Sequence, residues 1–162
     1  RKSPPQSRKT LELLKGVSKK VAVINNPYGI IRYQSKKYLT QLRDVTAPTY
    51  YSTKVSALKR AIEKLGNCVL KEAIGFGGKG VYHIFGKDGK YYVESRFSKP
   101  KQVNLEKLLR EVTKNGTQGA VAVKFLKRVG YGDKRILVID SKVMGAFLRL
   151  PKSKKGWVCN VS

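Results

Sequence analysis

VLKEAIGFGGKGVYHI, residues 69–84, decides how this chain is read. A short apolar stretch carrying one lysine, Lys71, leads into a turn with four glycines in six positions: Gly75, Gly77, Gly78 and Gly80. A run of β-branched and aromatic residues follows. So dense a set of glycines leaves backbone N–H groups unshielded by side chains, and a phosphate can approach them closely. Gly75, Gly77 and Gly80 satisfy the spacing G-x-G-x-x-G, but a dinucleotide fingerprint requires a helix after the glycines to hold a pyrophosphate. VYHIF (81–85) has strand character instead, and GKDGK (86–90) turns the chain into another strand, YYVES. A Walker A loop needs glycine at position 73 and Ser or Thr at position 80, where Ala73 and Gly80 stand. Two readings remain. One is a strand–loop–strand flap over a triphosphate with Lys71 at its base; the other is a glycine-rich hairpin turn without a ligand.

The 162 residues suit one domain or two small lobes, and 41% hydrophobic content supports a real core. The longest apolar runs, VAVI (21–24) and ILVI (136–139), fall far short of the ~20 residues that span a bilayer. No charged segment followed by an apolar one opens the chain, so no secretory signal or membrane partner is expected and the location implied is the cytoplasm. Cys68 and Cys159 match no metal or redox spacing and read as free thiols. His83 is the only histidine, supports no histidine metal cluster, and is read as packing on the hairpin. The net charge of +25, from 35 basic and 10 acidic residues, attracts polyanions. The charges are spread along the chain, with KSKK (152–155) the densest cluster, and they read as solvated faces before they read as a nucleic-acid site.

Outside the hairpin, a short helix is expected around residues 9–14, a buried strand at VAVI, and a helix near 35–43. A brief strand follows at 48–52. Val55, Leu58, Ile62 and Leu65 recur at helical spacing with Gly66 after them. Leu105, Leu108, Leu109 and Val112 do the same between Asn104 and Asn115-Gly116. A loop containing Pro100 joins YYVES to that second helix. AVAVKFL (120–126), KRILVID (134–140) and KVMGAFLRL (142–150) read as strands, the last two paired across Asp140-Ser141, and WVCNV (157–161) begins another. The class is α+β, with a glycine-hairpin lobe joined at 123–126 to a second antiparallel sheet.

Read in order, these features resemble the ATP-grasp superfamily, and within it the bacterial glutathione synthetases. RKSPP (1–5) is similar to that family's Arg-x-Asp-Pro-Pro, with Ser3 in place of the acid, and INNPYGIIR (24–32) to its Val-Asn-x-Pro-x-x-Leu-Arg. SKKYL (35–39), APTYYST (47–53) and the lysine strand with its glycine flap follow in register. GYGDKRILVID (130–140) resembles Gly-Asp-Lys-Arg-Val-Leu-Val-Val-Asp, and GAFLRLP (145–151) resembles the Ala-Arg-Ile-Pro strand. The resemblance implies an ATP-grasp fold, two α+β lobes sandwiching ATP, with the second lobe incomplete. Its divisions would be 1–47 as the end of a preceding substrate domain and linker helix, 48–122 as the first subdomain, and 123–162 as the start of the second.

It also implies an ATP-dependent carboxylate–amine ligase working through an acyl phosphate, in the glutathione case on γ-glutamylcysteine and glycine. Two other readings stand beside it: an ATP-grasp ligase that extends a protein or peptide with glutamate, and a non-catalytic basic protein that binds nucleic acid. The residues implied to hold the nucleotide are Lys36 and Lys71 on its phosphates, with Lys37 the rival for the first role. Gly75, Phe76, Gly77, Gly78, Lys79 and Gly80 form the flap. Val123, Lys124, Phe125 and Leu126 face the adenine, and Asp133 faces the ribose hydroxyls. Arg149, Asn160 and Arg135 are the implied catalytic set beside the transferring phosphoryl group. Val123-Lys124 departs from the Gln, Glu or Asn usual at the hinge, and Val158 stands where an arginine is expected. ATP is the implied cofactor, with Mg²⁺ whose carboxylate ligands, an Asp and a Glu-x-Asn pair, are expected beyond Ser162. Residues 1–162 alone are therefore expected to show no amide-forming turnover, and the longer protein is expected to form a homo-oligomer.

Overall fold

The structure, a computed structural model, describes residues 8–75, 78, 80–95, 98–151 and 157. Helices α1 (Arg8–Val17) and α2 (Pro27–Tyr33) pack on each other and lead through a 3₁₀ helix (Lys36–Gln41) into strand β1 (Thr49–Ser52). There follow α3 (Val55–Leu65), β2 (Cys68–Glu72), β3 (Val81–Lys87), β4 (Lys90–Ser95), β5 (Ser98–Val103), α4 (Leu105–Val112) and β6 (Ala120–Lys124). A second 3₁₀ helix (Lys127–Tyr131) precedes β7 (Asp133–Ile139) and β8 (Lys142–Arg149). The first six strands form one antiparallel sheet in the order β1-β6-β2-β3-β4-β5, and β7 pairs with β8 in a separate hairpin.

Strand alternation divides the large sheet into two faces. Cys68 and Leu70 of β2, Ile84 of β3, Val93 of β4, and Ala120 and Ala122 of β6 point to one side. They meet the stripe Leu58, Ile62 and Leu65 of α3 and Leu105, Leu108, Leu109 and Val112 of α4. Removing this apolar surface from water, at about 25 cal/mol per Å², drives the lobe together. Helix α3 ends at Gly66, whose φ of +67° sends the chain back into β2. Helix α4 starts at Asn104, whose side chain accepts the Lys107 N–H at 3.0 Å. Cys68 lies inside this core, and burial pushes its thiol up to about 12, so it carries no thiolate chemistry at neutral pH.

Three expectations change. VAVI is not a strand, and Ile24 is 94% exposed. The Val21 N–H still bonds to Val17 O below α1, and Asn26 already caps α2 by accepting the Tyr28 N–H. The helix ends on either side therefore hold the backbone between them. The helix near 35–43 is a 3₁₀ turn over Lys36–Gln41, begun by Ser35 accepting the Lys37 N–H. The stretch containing Pro100 is the strand β5, at the sheet edge, where a residue without an N–H and its lysine neighbours are tolerated.

The β7–β8 hairpin turns at Asp140 and Ser141, both at positive φ (49° and 60°), as a two-residue turn requires. The WVCNV strand lies outside the described residues except for Trp157.

Candidate functional site

The face of the large sheet opposite the helices carries the lysine of β2. Tyr51, Val121, Lys71 and Val81 form one register row across β1, β6, β2 and β3, and Thr49, Val123, Val69 and His83 form the next. Two residues of strand rise separate the rows, about 7 Å. Lys71 is half-buried on this face, and burial holds its ammonium below the ordinary lysine value of 10.5.

Lys36 reaches the same end of β2 from the first 3₁₀ helix. Its N–H donates to Ala73 O at 2.8 Å, and its Nζ donates to Glu72 O at 3.1 Å and Gly75 O at 3.0 Å. Backbone and side chain together therefore fasten the segment that opens the glycine flap. Burial lowers the pKa of Lys36 and the charge of Lys71 lowers it further, with Glu72 opposing. Two desolvated ammonium groups, that of Lys36 further disfavoured by the charge of Lys71, make a site that gains from an anion. Lys37, the rival for the phosphate role, stacks instead over the Tyr51 ring, 5.2 Å from its centroid.

The flap closes back on β2 where the Glu72 N–H bonds to Gly80 O at 3.2 Å. Gly78 and Gly80 have φ of +76° and +64°, and a Cβ on Gly80 would lie 2.7 Å from the Glu72 carboxyl carbon. The backbone conformation favours glycine there, while the Glu72 side chain could swing aside for a Cβ. Phe76, Gly77 and Lys79 of the flap, and Asn160 and Val158, lie outside the described residues.

Further along β6, past the second row, the chain leaves the sheet after Lys124. Val123 faces the same side as Lys71. Lys124 points away, and its Nζ donates to Leu65 O, capping α3 at the negative end of the helix dipole. Lys124 thus borders the site through its backbone alone. The Lys124 and Phe125 N–H groups are already bonded, to Pro48 O and Asn67 O. Leu126 is 60% exposed, and its N–H makes no hydrogen bond among the described residues.

Asp133 and Arg149 are brought together as cross-strand partners at the base of the β7–β8 hairpin. Arg149 Nε and Nη2 donate to Asp133 Oδ1 and Oδ2 at 2.6 and 2.7 Å, a two-pronged pair that fixes both side chains. Arg135 lies two residues along β7 on the same hairpin face, opposite Phe147, and is exposed. Among the described residues no group of three or more His, Cys, Asp or Glu side chains could hold a metal ion.

Sequence reasoning singled out the lysines and glycines but missed the apolar half of this face, Val69, Val81 and Val121, and the partners of His83. The signal for the valines is alternation: they stand two residues either side of, or directly across from, Lys71 and Val123.

An antiparallel sheet with a lysine strand, a glycine-rich turn at one end of it and the chain's exit at 124–126 at the other defines an ATP-grasp architecture. A solved structure of the ATP-grasp ligase PsnB complexed with minimal precursor superposes over 90% of this chain and 43% of that one, with a TM-score of 0.53 at 17% identity. A second PsnB structure, complexed with a phosphomimetic variant of minimal precursor, Mg and ADP, covers 88% and 41% with a TM-score of 0.51 at 18% identity. At these identities the likeness shows the fold. More specifically, residues 35–158 match the model of the prokaryotic glutathione synthetase ATP-grasp domain, and the chain belongs to that family. Similar curated proteins include the glutathione synthetase of Ralstonia nicotianae, 31% identical over 80% of this chain and 36% of that protein. That of Agrobacterium fabrum is 29% identical over 86% and 39%. The chain spans about two-fifths of the length of the relatives it matches. No helix among the described residues is long and apolar enough to cross a membrane.

Proposed function

We propose that this chain is the ATP-binding part of a glutathione synthetase-like carboxylate–amine ligase. One observation carries the reading. Lys36 and Lys71, both held below their ordinary pKa by burial, meet at the mouth of the glycine flap on the face that also bears the hinge. ATP would lie along this face, adenine against Val69 and Val123 with the Leu126 N–H at its edge, and the triphosphate between the two ammonium groups and the flap. In the whole protein, the acid's carboxylate would attack the γ-phosphorus and release ADP. The amine would then attack the acyl carbon and release phosphate, leaving an amide. γ-Glutamylcysteine and glycine are the substrates proposed, on the names of the curated relatives. This chain's residues contribute positioning and positive charge to the reaction. Asp133 would accept from the ribose hydroxyls with Arg149 forked behind it, and Arg135 would lie on the phosphoryl side. Residues 48–122 and 123–162 would be the first subdomain and the start of the second. The exposed apolar strands of β7–β8 suit a layer that further sheet would cover.

The lysines give this reading a proton signature. Bound phosphates favour both ammonium groups, so binding raises two lowered pKa values and draws in protons. A non-hydrolysable ATP analogue should bind the full-length protein with constant affinity from the pH at which its terminal phosphate is fully ionised up to the lowered lysine values. Affinity should fall as pH rises through the lowered lysine values towards 10.5. Calorimetry in buffers of different ionisation heat should register net proton uptake in that window. Affinity independent of pH there, with no uptake, would remove the lysines from the phosphate site.

A further inference from the structure

His83 lies on the ligand-side face of the sheet yet is only 8% exposed. Its ring is held from three directions. Nδ1 donates to Glu94 Oε1 at 2.6 Å, a carboxylate directly across the β3–β4 pair, and Nε2 closes on the Asn67 side-chain amide at 2.5 Å. The Phe125 ring stacks on it, with centroids 3.9 Å apart and planes 18° apart. Asn67 also accepts the Phe125 N–H through its backbone carbonyl at 3.1 Å. His83, Asn67 and Phe125 therefore form a closed circuit: side chain to side chain, backbone to backbone, ring on ring. Glu94 fixes one corner. Phe125 is pinned both by its backbone and by its ring, and the next residue is Leu126.

Resting on the ATP-binding reading above, we propose that His83 is the positioning residue of the hinge, setting through Phe125 where the Leu126 backbone meets the adenine edge. A ring wedged between a carboxylate and an amide has no rotational freedom, so it presents a fixed surface for Phe125 to stack against. A phenylalanine or leucine at position 83 could fill the space but could not be fixed in rotation in this way. His83 touches no nucleotide atom in this scheme and acts only through its neighbour. Trp157, the one tryptophan of these 162 residues, completes the cluster at 5.6 Å from the His83 ring and 6.3 Å from Phe125.

The test is a pair of ligands on the full-length protein: a non-hydrolysable ATP analogue, which needs both ends of the site, and inorganic tripolyphosphate, which needs only the lysine and flap end. His83→Ala should weaken the ATP analogue about tenfold and leave tripolyphosphate within about twofold. His83→Gln, which can still reach one partner, should recover part of the loss. The analogue should change an emission signal of the parent protein that Trp157→Phe abolishes, and tripolyphosphate should not. If His83→Ala does not fold, Glu94→Gln carries the test with the same split in a smaller measure, about threefold. Equal binding of the ATP analogue by parent and folded variant, or parallel loss of both ligands, would overturn the positioning role. Absence of ATP-analogue binding by the parent would instead overturn the underlying function.

Discussion

Lys71→Met will weaken binding of a non-hydrolysable ATP analogue by roughly ten- to a hundredfold and leave the protein at least as stable as the parent. A hydrogen bond to a charged group is worth about 1.5–3 kcal/mol, and 1.4 kcal/mol is a factor of ten in affinity. The stability half follows from linkage. Burial lowers the pKa of Lys71 in the fold, so between that value and the ordinary 10.5 the unfolded chain binds more protons than the native one. Keeping the ammonium charged at neutral pH therefore opposes folding, and the opposition fades as pH rises through that window. Methionine keeps the unbranched stem and drops the charge. Titration calorimetry and a thermal melt check the two halves. Unchanged affinity with a lowered melting temperature would mean that Lys71 serves the fold and not a ligand.

Gly132→Ala is expected to release the β7–β8 hairpin. Gly132 sits at φ 102°, ψ 177°, a region open to glycine alone. A Cβ there would lie 2.4 Å from Arg149 O, with the Leu150 and Leu148 side chains at 3.0 and 3.2 Å. The contact is with backbone, and that backbone belongs to the register partner of Asp133, so relief requires breaking the pair Asp133–Arg149. Strain and overpacking together come to about 2–4 kcal/mol. Hydrogen exchange across residues 133–149 should accelerate by roughly 30- to 700-fold. Gly29→Ala is the control: it sits inside α2 with nothing within 4 Å of a new Cβ, and it should be neutral or slightly stabilising. Equal exchange in the two variants would contradict the role given to Gly132.

Much of this was legible because it rests on local rules. The stripes of α3 and α4 are periodic, Gly66 and Asn104 are terminal signals, and the glycine flap with its lysine is read from residue type alone. The strand order is not local, and neither is anything that depends on it. Pro100 argued for a loop because the sequence does not say that β5 is an edge, where a missing N–H is harmless. VAVI has strand composition, but the helix ends on both sides claim its backbone. Lys124 looks like a hinge side chain until the position of α3 shows that its ammonium caps Leu65. The fork between Asp133 and Arg149, 16 residues apart, and the clamp on His83 both arise from cross-strand register, which residue types do not reveal.

The central claim is that one face of the large sheet binds ATP with its phosphates at Lys36, Lys71 and the flap and its adenine at the hinge. Amide NMR of the full-length protein, titrated with a non-hydrolysable ATP analogue, tests it most directly. The account predicts saturable shifts at Lys36, Lys71, Gly75, Gly80, Val123 and Leu126, with α1 and the β5 edge unmoved. No saturable shift, or shifts confined to surfaces outside this face, would contradict it.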